Sequence, residues 1–140
     1  MNMRTIKCAT NMKEQLKALE MADYILDILR GTKKPVVEET EPNMFTIHVT
    51  ERQRQFGTWG GFGYRAIMAT DNNVGLQFRV TGFKFRGLIR IWYNQGLDLF
   101  DIEFLRPIRK TLVKEIKEIS IEDLHRILHH AIERDDDIDL

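Results

Sequence analysis

Residues 76–105 read LQFRVTGFKFRGLIRIWYNQGLDLFDIEFL. In Leu76-Gln77-Phe78-Arg79-Val80-Thr81, the apolar Leu76, Phe78 and Val80 alternate with Gln77, Arg79 and Thr81. A period of two gathers one apolar face only in an extended strand. Gly82 and Gly87 interrupt the run, and Leu88 to Tyr93 resumes it with β-branched and aromatic residues. Asn94-Gln95-Gly96 has hairpin-turn chemistry. Leu97 to Leu105 is the next strand, and its alternation slips near Leu99-Phe100, where a bulge is expected. Strands joined by turns this short are antiparallel neighbours.

The same pattern extends outward. Tyr64 to Thr70 predicts a strand followed by the turn residues Asp71-Asn72-Asn73, and Met44 to Val49 alternates with Phe45, Ile47 and Val49 on one face. Residues 108–119 fit a strand or a helix equally well. Residues 12–30 predict a helix with Met12, Leu16, Leu19, Tyr24 and Ile28 as its apolar stripe, Asn11 as N-cap, Glu14 three residues on, and Gly31 as C-cap. Thr32 to Pro42, with two prolines and three glutamates, reads as a loop or linker. Residues 121–134 predict a second helix, capped by Ser120, with Glu122 and Asp123 at its positive end and Leu124, Ile127, Leu128 and Ala131 as its stripe. Residues 135–140 are an acidic tail.

These elements assemble into one α+β domain over residues 1–140: an antiparallel β-meander of four to six strands, mainly within 44–118, with the N-terminal and C-terminal helices packed on it. The expected core holds Phe45, Ile47, Leu76, Phe78, Val80, Ile89, Ile91, Leu124 and Leu128.

Composition narrows the function. The 140 residues are 43% hydrophobic and 30% charged, enough apolar material for a core and too much for a disordered chain. No apolar run approaches the roughly 18 residues needed to span a bilayer. The N-terminal MNMRTIKCATNMKEQLK lacks a hydrophobic signal core, so a cytoplasmic protein without membrane association is expected. The single Cys8 excludes an internal disulfide and a cysteine-built zinc site within one chain.

The zero net charge hides an asymmetry. Residues 45–96 carry seven basic side chains (Arg52, Arg54, Arg65, Arg79, Lys84, Arg86 and Arg90) against two acidic ones, Glu51 and Asp71. Residues 97–140 carry seven basic and twelve acidic. A basic block points toward an anionic partner.

Two places concentrate candidate binding residues. The segment 51–65, ERQRQFGTWGGFGYR, combines Arg52, Arg54 and Arg65 with Gly60, Gly61 and the aromatics Trp59 and Tyr64. As a glycine-rich loop it would bring backbone close to phosphate, with Trp59 an exposed anchor. The alternative is a hairpin loop whose aromatics cover the core. Gly61-x-Gly63 is not a dinucleotide fingerprint, because no parallel β-α unit follows, and no Walker A sequence occurs. The second place is the strand set bearing Arg79, Lys84, Arg86 and Arg90 with Phe83, Phe85 and Trp92 interleaved, the pattern of single-strand nucleic-acid binding, or else a solvated face above inward aromatics.

His125 and His129 stand four apart on the last helix, but Arg126 follows His125, so HExxH is absent and no metal is expected. Nothing pairs a nucleophile with a base: Cys8 has no placed histidine, and Asp98, Asp101 and Glu103 lack partners. No catalytic residue and no cofactor are expected.

From about residue 55 to 134 the chain resembles a group of small proteins of unknown activity encoded by bacteriophages and other mobile elements. The pieces are GGFGYRAIMAT, GLQFRV, GLIRIWYNQGLDLFDIEF, VKEI and ISIEDLHRIL, with Gly60, Gly61, Met68, Phe78, Asp98, Asp101, Phe104 and Leu124 as the specific matches. The resemblance implies a bacterial host cell and a small non-enzymatic binding protein. The expected function is nucleic-acid binding through the basic, aromatic, glycine-rich β region. The alternative is an anti-defence inhibitor that binds a host immune protein or sequesters a nucleotide signal. Exposed strand edges and zero net charge leave a homo-oligomer open.

Overall fold

The computed structural model of the chain describes residues 3–31, 36–42, 44–48 and 51–133, and for 36–41 and 44–48 the backbone alone. The elements run β1 (Ile6–Lys7), α1 (Met12–Arg30), β2 (Val36–Glu41), β3 (Met44–His48), α2 (Glu51–Thr58), β4 (Phe62–Ala69), β5 (Val74–Thr81), β6 (Arg86–Asn94), β7 (Leu99–Leu105), β8 (Leu112–Ile119) and α3 (Ile121–Ile132). The fold is α+β: six antiparallel strands in the order β1-β4-β5-β6-β7-β8 form a curled meander, and β2-β3 form a separate hairpin.

Alternation along β5, β6 and β7 sends Leu76, Phe78, Val80, Ile89, Ile91, Ile102 and Phe104 to one face, where they meet Ile25 and Leu29 of α1 and Leu124 and Leu128 of α3 in one hydrophobic cluster. The expected strand and α3 core residues lie there; Phe45, Ile47 and the tail 135–140 lie outside the described residues. Asn11 caps α1, its Oδ1 accepting from Glu14 N–H at 2.9 Å, and Gly31 ends it at φ 86°.

Four local expectations are corrected and one open choice is resolved. The buried face of α1 is Ala18, Ala22, Ile25 and Leu29, whereas Met12, Leu16, Leu19 and Tyr24 are exposed. Small alanines let the helix axis approach the strands, and a stripe chosen by side-chain size overlooks them. Val36–Glu41 is a strand rather than a linker, pairing with β3 from Val36↔His48 to Glu41↔Met44, with Pro42 at the turn. Residues 51–58 are helical rather than a glycine-rich loop, because Glu51, Arg52, Gln53, Arg54 and Gln55 are good helix formers and Glu51 pairs with Arg54 at 3.1 Å. The ambiguous TLVKEIKEI is β8: its three-residue spacing looks helical, but the free edge of β7 needs backbone partners, and register shifts absorb the mismatch. Ser120 stands at the N-terminus of α3 without capping a backbone N–H; its Oγ donates to Asp123 Oδ2 at 3.1 Å.

Candidate functional site

The alternation that sends Leu76, Phe78 and Val80 toward the helices sends Gln77 and Arg79 to the opposite face. Strand register then aligns a polar row straight across five strands, Arg65↔Gln77↔Arg90↔Glu103↔Glu115. The row has an acidic end and a basic end.

The acidic end is satisfied internally. Glu103, fully buried, accepts from Arg4 N–H and from Trp92 Nε1–H, each at 2.8 Å. Beside it Asp101 accepts from Arg4 Nη2 at 2.8 Å and from Glu118 N–H at 2.9 Å, while the Arg4 guanidinium lies 5.7 Å over the Trp92 ring. Such a buried network is stable because every member finds a partner.

The basic end is not neutralised. Arg90, 6% exposed, donates from Nε to Gln77 Oε1 at 2.9 Å. Burial lowers its pKa, Glu103 opposes that shift, and Arg65 adds to it by like-charge repulsion. Among the described residues Arg65 makes no hydrogen bond or ion pair.

The β7–β8 turn adds three cations. Arg106-Pro107-Ile108-Arg109-Lys110 is closed by Lys110 N–H to Arg106 O and Arg106 N–H to Thr111 O, both 3.0 Å. All five residues are exposed, Ile108 at 90%. Arg79 Nη1 donates to Pro107 O at 3.3 Å, tying the turn to β5. Lys110 joins Arg65, Gln77 and Arg90 around a pocket of about 740 Å³, whose apolar lining includes Ala18, Leu19 and Ile67. No aspartate or glutamate lines it. Arg65, Arg79, Arg90, Arg106, Arg109 and Lys110 thus form one cationic region with the hydrogen-bonded turn at its rim.

Of the residues that the sequence singles out, Arg65, Arg79 and Arg90 meet here, though Arg90 is buried rather than outward. Arg52 and Arg54 lie on α2, on the helix side, where Arg54 pairs with Glu51. Lys84 sits in the β5–β6 connection, held to α3 by Lys84 N–H and Phe85 N–H on Ile132 O, and Arg86 opens β6, where its Nε donates to Gly82 O at 3.3 Å. Alternation along β6 places Arg86 on the face of Arg90, four residues away, whereas Lys84 lies outside the strand. Trp92 is buried, Phe85 packs against the core and Phe83 alone of these aromatics is exposed. Tyr64 is half-buried and stacked on Phe78 at 5.1 Å, and burial raises its phenol pKa.

Trp59 is not an exposed anchor. It is fully buried, and its indole N–H donates to His129 Nδ1 at 3.0 Å. Gly60 and Gly61 shape the connection behind it. Gly60 takes φ +61°, where any side chain would overlap the Thr81 hydroxyl, and this turn brings Trp59 O to Thr81 N–H at 3.0 Å. Arg106, Arg109 and Lys110 are the residues missed by the sequence reading. Their signal was three cations around a proline directly after an alternating strand, overlooked because they fall in the third of the chain that is acidic overall.

The histidines serve packing. His125 Nδ1 lies 3.0 Å from the Leu29 carbonyl, which can only accept, so Nδ1 carries the proton. Its Nε2 then accepts from the Gln55 amide 3.0 Å away, turned to present NH2. Burial lowers the His125 pKa from 6.5 to about 4. The unfolded chain therefore binds this proton more readily, and the stabilisation, complete above pH 6.5, is lost as pH falls toward 4. Between pH 7.5 and 4.5 the loss is about 2–3 kcal/mol. Denaturant midpoints at both pH values check it: His125→Asn, which can still donate to Leu29 O, is expected to remove that part of the acid sensitivity, and an unchanged difference refutes the assignment.

Among the described residues no group of three His, Cys, Asp or Glu side chains could hold a metal ion, and no helix is long and apolar enough to cross a membrane. No family model, no curated protein and no solved structure matches the chain.

Proposed function

We propose that the protein is a non-enzymatic nucleic-acid-binding protein whose contact surface is the cationic region around the β7–β8 turn. The observation that supports it is the grouping of six cations, five of them arginines, on one sheet face and its adjoining turn, three of which (Arg65, Arg90 and Lys110) line a pocket that no carboxylate lines. Arginine presents a fixed fork of donors that matches phosphate oxygens in pairs, and it carries its charge at every physiological pH. Ile108 at the tip adds an apolar side chain that can rest on exposed bases, with Arg106 and Arg109 beside it to hold the backbone. Like charges gathered this closely repel one another, and a polyanion relieves the repulsion. In this reading the role is binding, and the protein acts in the cytoplasm of a host cell as the mobile-element resemblance implies.

The test is fluorescence anisotropy with a labelled single-stranded 20-mer and its duplex at about 50 mM salt. Binding to either that weakens steeply as salt rises is the expected result, because bound counterions are released. No binding of either form at this salt overturns the proposal.

A further inference from the structure

The pocket beside the turn has features that a surface for a continuous strand does not need. It opens along the outer edge of β4, where β1 pairs only with Met68 and Ala69. The N–H of Thr70 points to that edge, donating to Thr5 O at 2.9 Å. Alternation along the strand therefore turns the N–H of Ala66 the same way, past the end of β1 and into the pocket.

Charge lines the pocket at both exposed and buried positions: Arg65 and Lys110 are exposed and Arg90 is buried. Lys7 is neutralised by Glu14 at 3.2 Å, but Arg65 and Lys110 have no side-chain partner among the described residues, and the partners of Arg90, Gln77 Oε1 at 2.9 Å and Met3 Sδ at 4.0 Å, are both neutral. Glu103, the nearest carboxylate along the row, is committed to Arg4 and Trp92. Three cations therefore face one cavity large enough for a mononucleotide. A phosphodiester brings one negative charge to such a site, and a phosphomonoester brings close to two at neutral pH. Ala18 and Leu19 on the helix side of β4 and Ile67 on the other offer apolar contacts for a base or sugar.

We propose that this pocket binds the phosphomonoester of a nucleotide, with Arg65, Arg90 and Lys110 on the phosphate. The ligand has two sources: the phosphorylated end of a strand, or a free nucleotide. The inference goes beyond strand binding and stands without it, since a free nucleotide needs no contact with the rest of the rim.

Calorimetric titration with the four ribonucleoside 5′-monophosphates, the matching nucleosides and inorganic phosphate tests the pocket alone. At least one monophosphate is expected to bind at least about tenfold more tightly than its nucleoside. Arg65→Gln with Lys110→Gln, both exposed and unpartnered, is expected to abolish that preference while the melting temperature of the free protein stays the same. Anisotropy with strands that differ only in a terminal phosphate separates the sources. Tighter binding of the phosphorylated strand assigns the site to strand ends, and equal binding alongside monophosphate binding assigns it to free nucleotides. If no monophosphate binds better than its nucleoside, or if the double variant keeps the preference, the proposal fails, whatever strand binding shows.

Discussion

Trp59→Ala is expected to lower stability by about 3–5 kcal/mol, the range for removing a fully buried large aromatic side chain. For a chain of this size that is a fall in melting temperature of about 10–20 °C. Trp59 packs on Phe56 at 5.3 Å and on His125 at 5.3 Å, so its loss leaves a cavity between α2 and α3. The change also strips His129 Nδ1 of its donor. Trp59→Phe, which fills much of the space without the N–H, is expected to lose less. Oligonucleotide binding well below the melting temperature is expected to be unaffected, because Trp59 is on the helix side of the sheet and the cationic region is on the other. Calorimetry with parallel binding measurements decides it. An unchanged melting temperature with lost binding would return Trp59 to a surface role.

The second large effect is on binding. Arg106→Gln, Arg109→Gln and Lys110→Gln together remove three cations from the turn, and among the described residues none of the three side chains makes a hydrogen bond or ion pair. Folding is therefore expected to be untouched. Removing three phosphate contacts should lower single-strand affinity by about 10²–10³ at roughly 50 mM salt, and by about thirtyfold at roughly 200 mM. Arg52→Gln with Arg54→Gln, on α2, is the control and should change affinity little. Anisotropy on the three proteins checks both statements.

The meander was legible because Leu76 to Thr81 alternates strictly and the β-branched and aromatic runs on either side are joined to it by short turns, so one strand decides the face and the turns decide its neighbours. α2 was not, because the glycines and aromatics at 56–64 dominated a reading in which the helix-forming Glu51 to Gln55 should have had its own weight. β8 was hidden for a different reason. Its pattern fits a strand or a helix equally well, and the unpaired edge of β7, a tertiary demand, decides for the strand. For the site, composition located basic charge and could not place it. Arg65, Arg79, Arg86 and Arg90 share a face because of strand register and alternation, whereas Arg52, Arg54 and Lys84 are carried elsewhere by a helix and a connection. Counting charge by thirds of the chain concealed Arg106, Arg109 and Lys110, which fold back to Arg79 from an acidic segment. Trp59 shows the limit of composition most clearly: glycine neighbours suggested an exposed tip, and the positive φ of Gly60 instead turns the chain so that the indole enters the core.

The central claim is that the β7–β8 turn and the adjoining sheet face engage a phosphate backbone. Its most direct test is the slope of log affinity against log salt for a single strand, measured on the wild type and on the triple variant of residues 106, 109 and 110. With Arg65, Arg79, Arg106, Arg109 and Lys110 each releasing counterion, the wild-type slope should be about −3.5. With only Arg65 and Arg79 left, the variant's should be about −1.4. Equal slopes for the two proteins would contradict the account, because the turn would then contribute no phosphate contact.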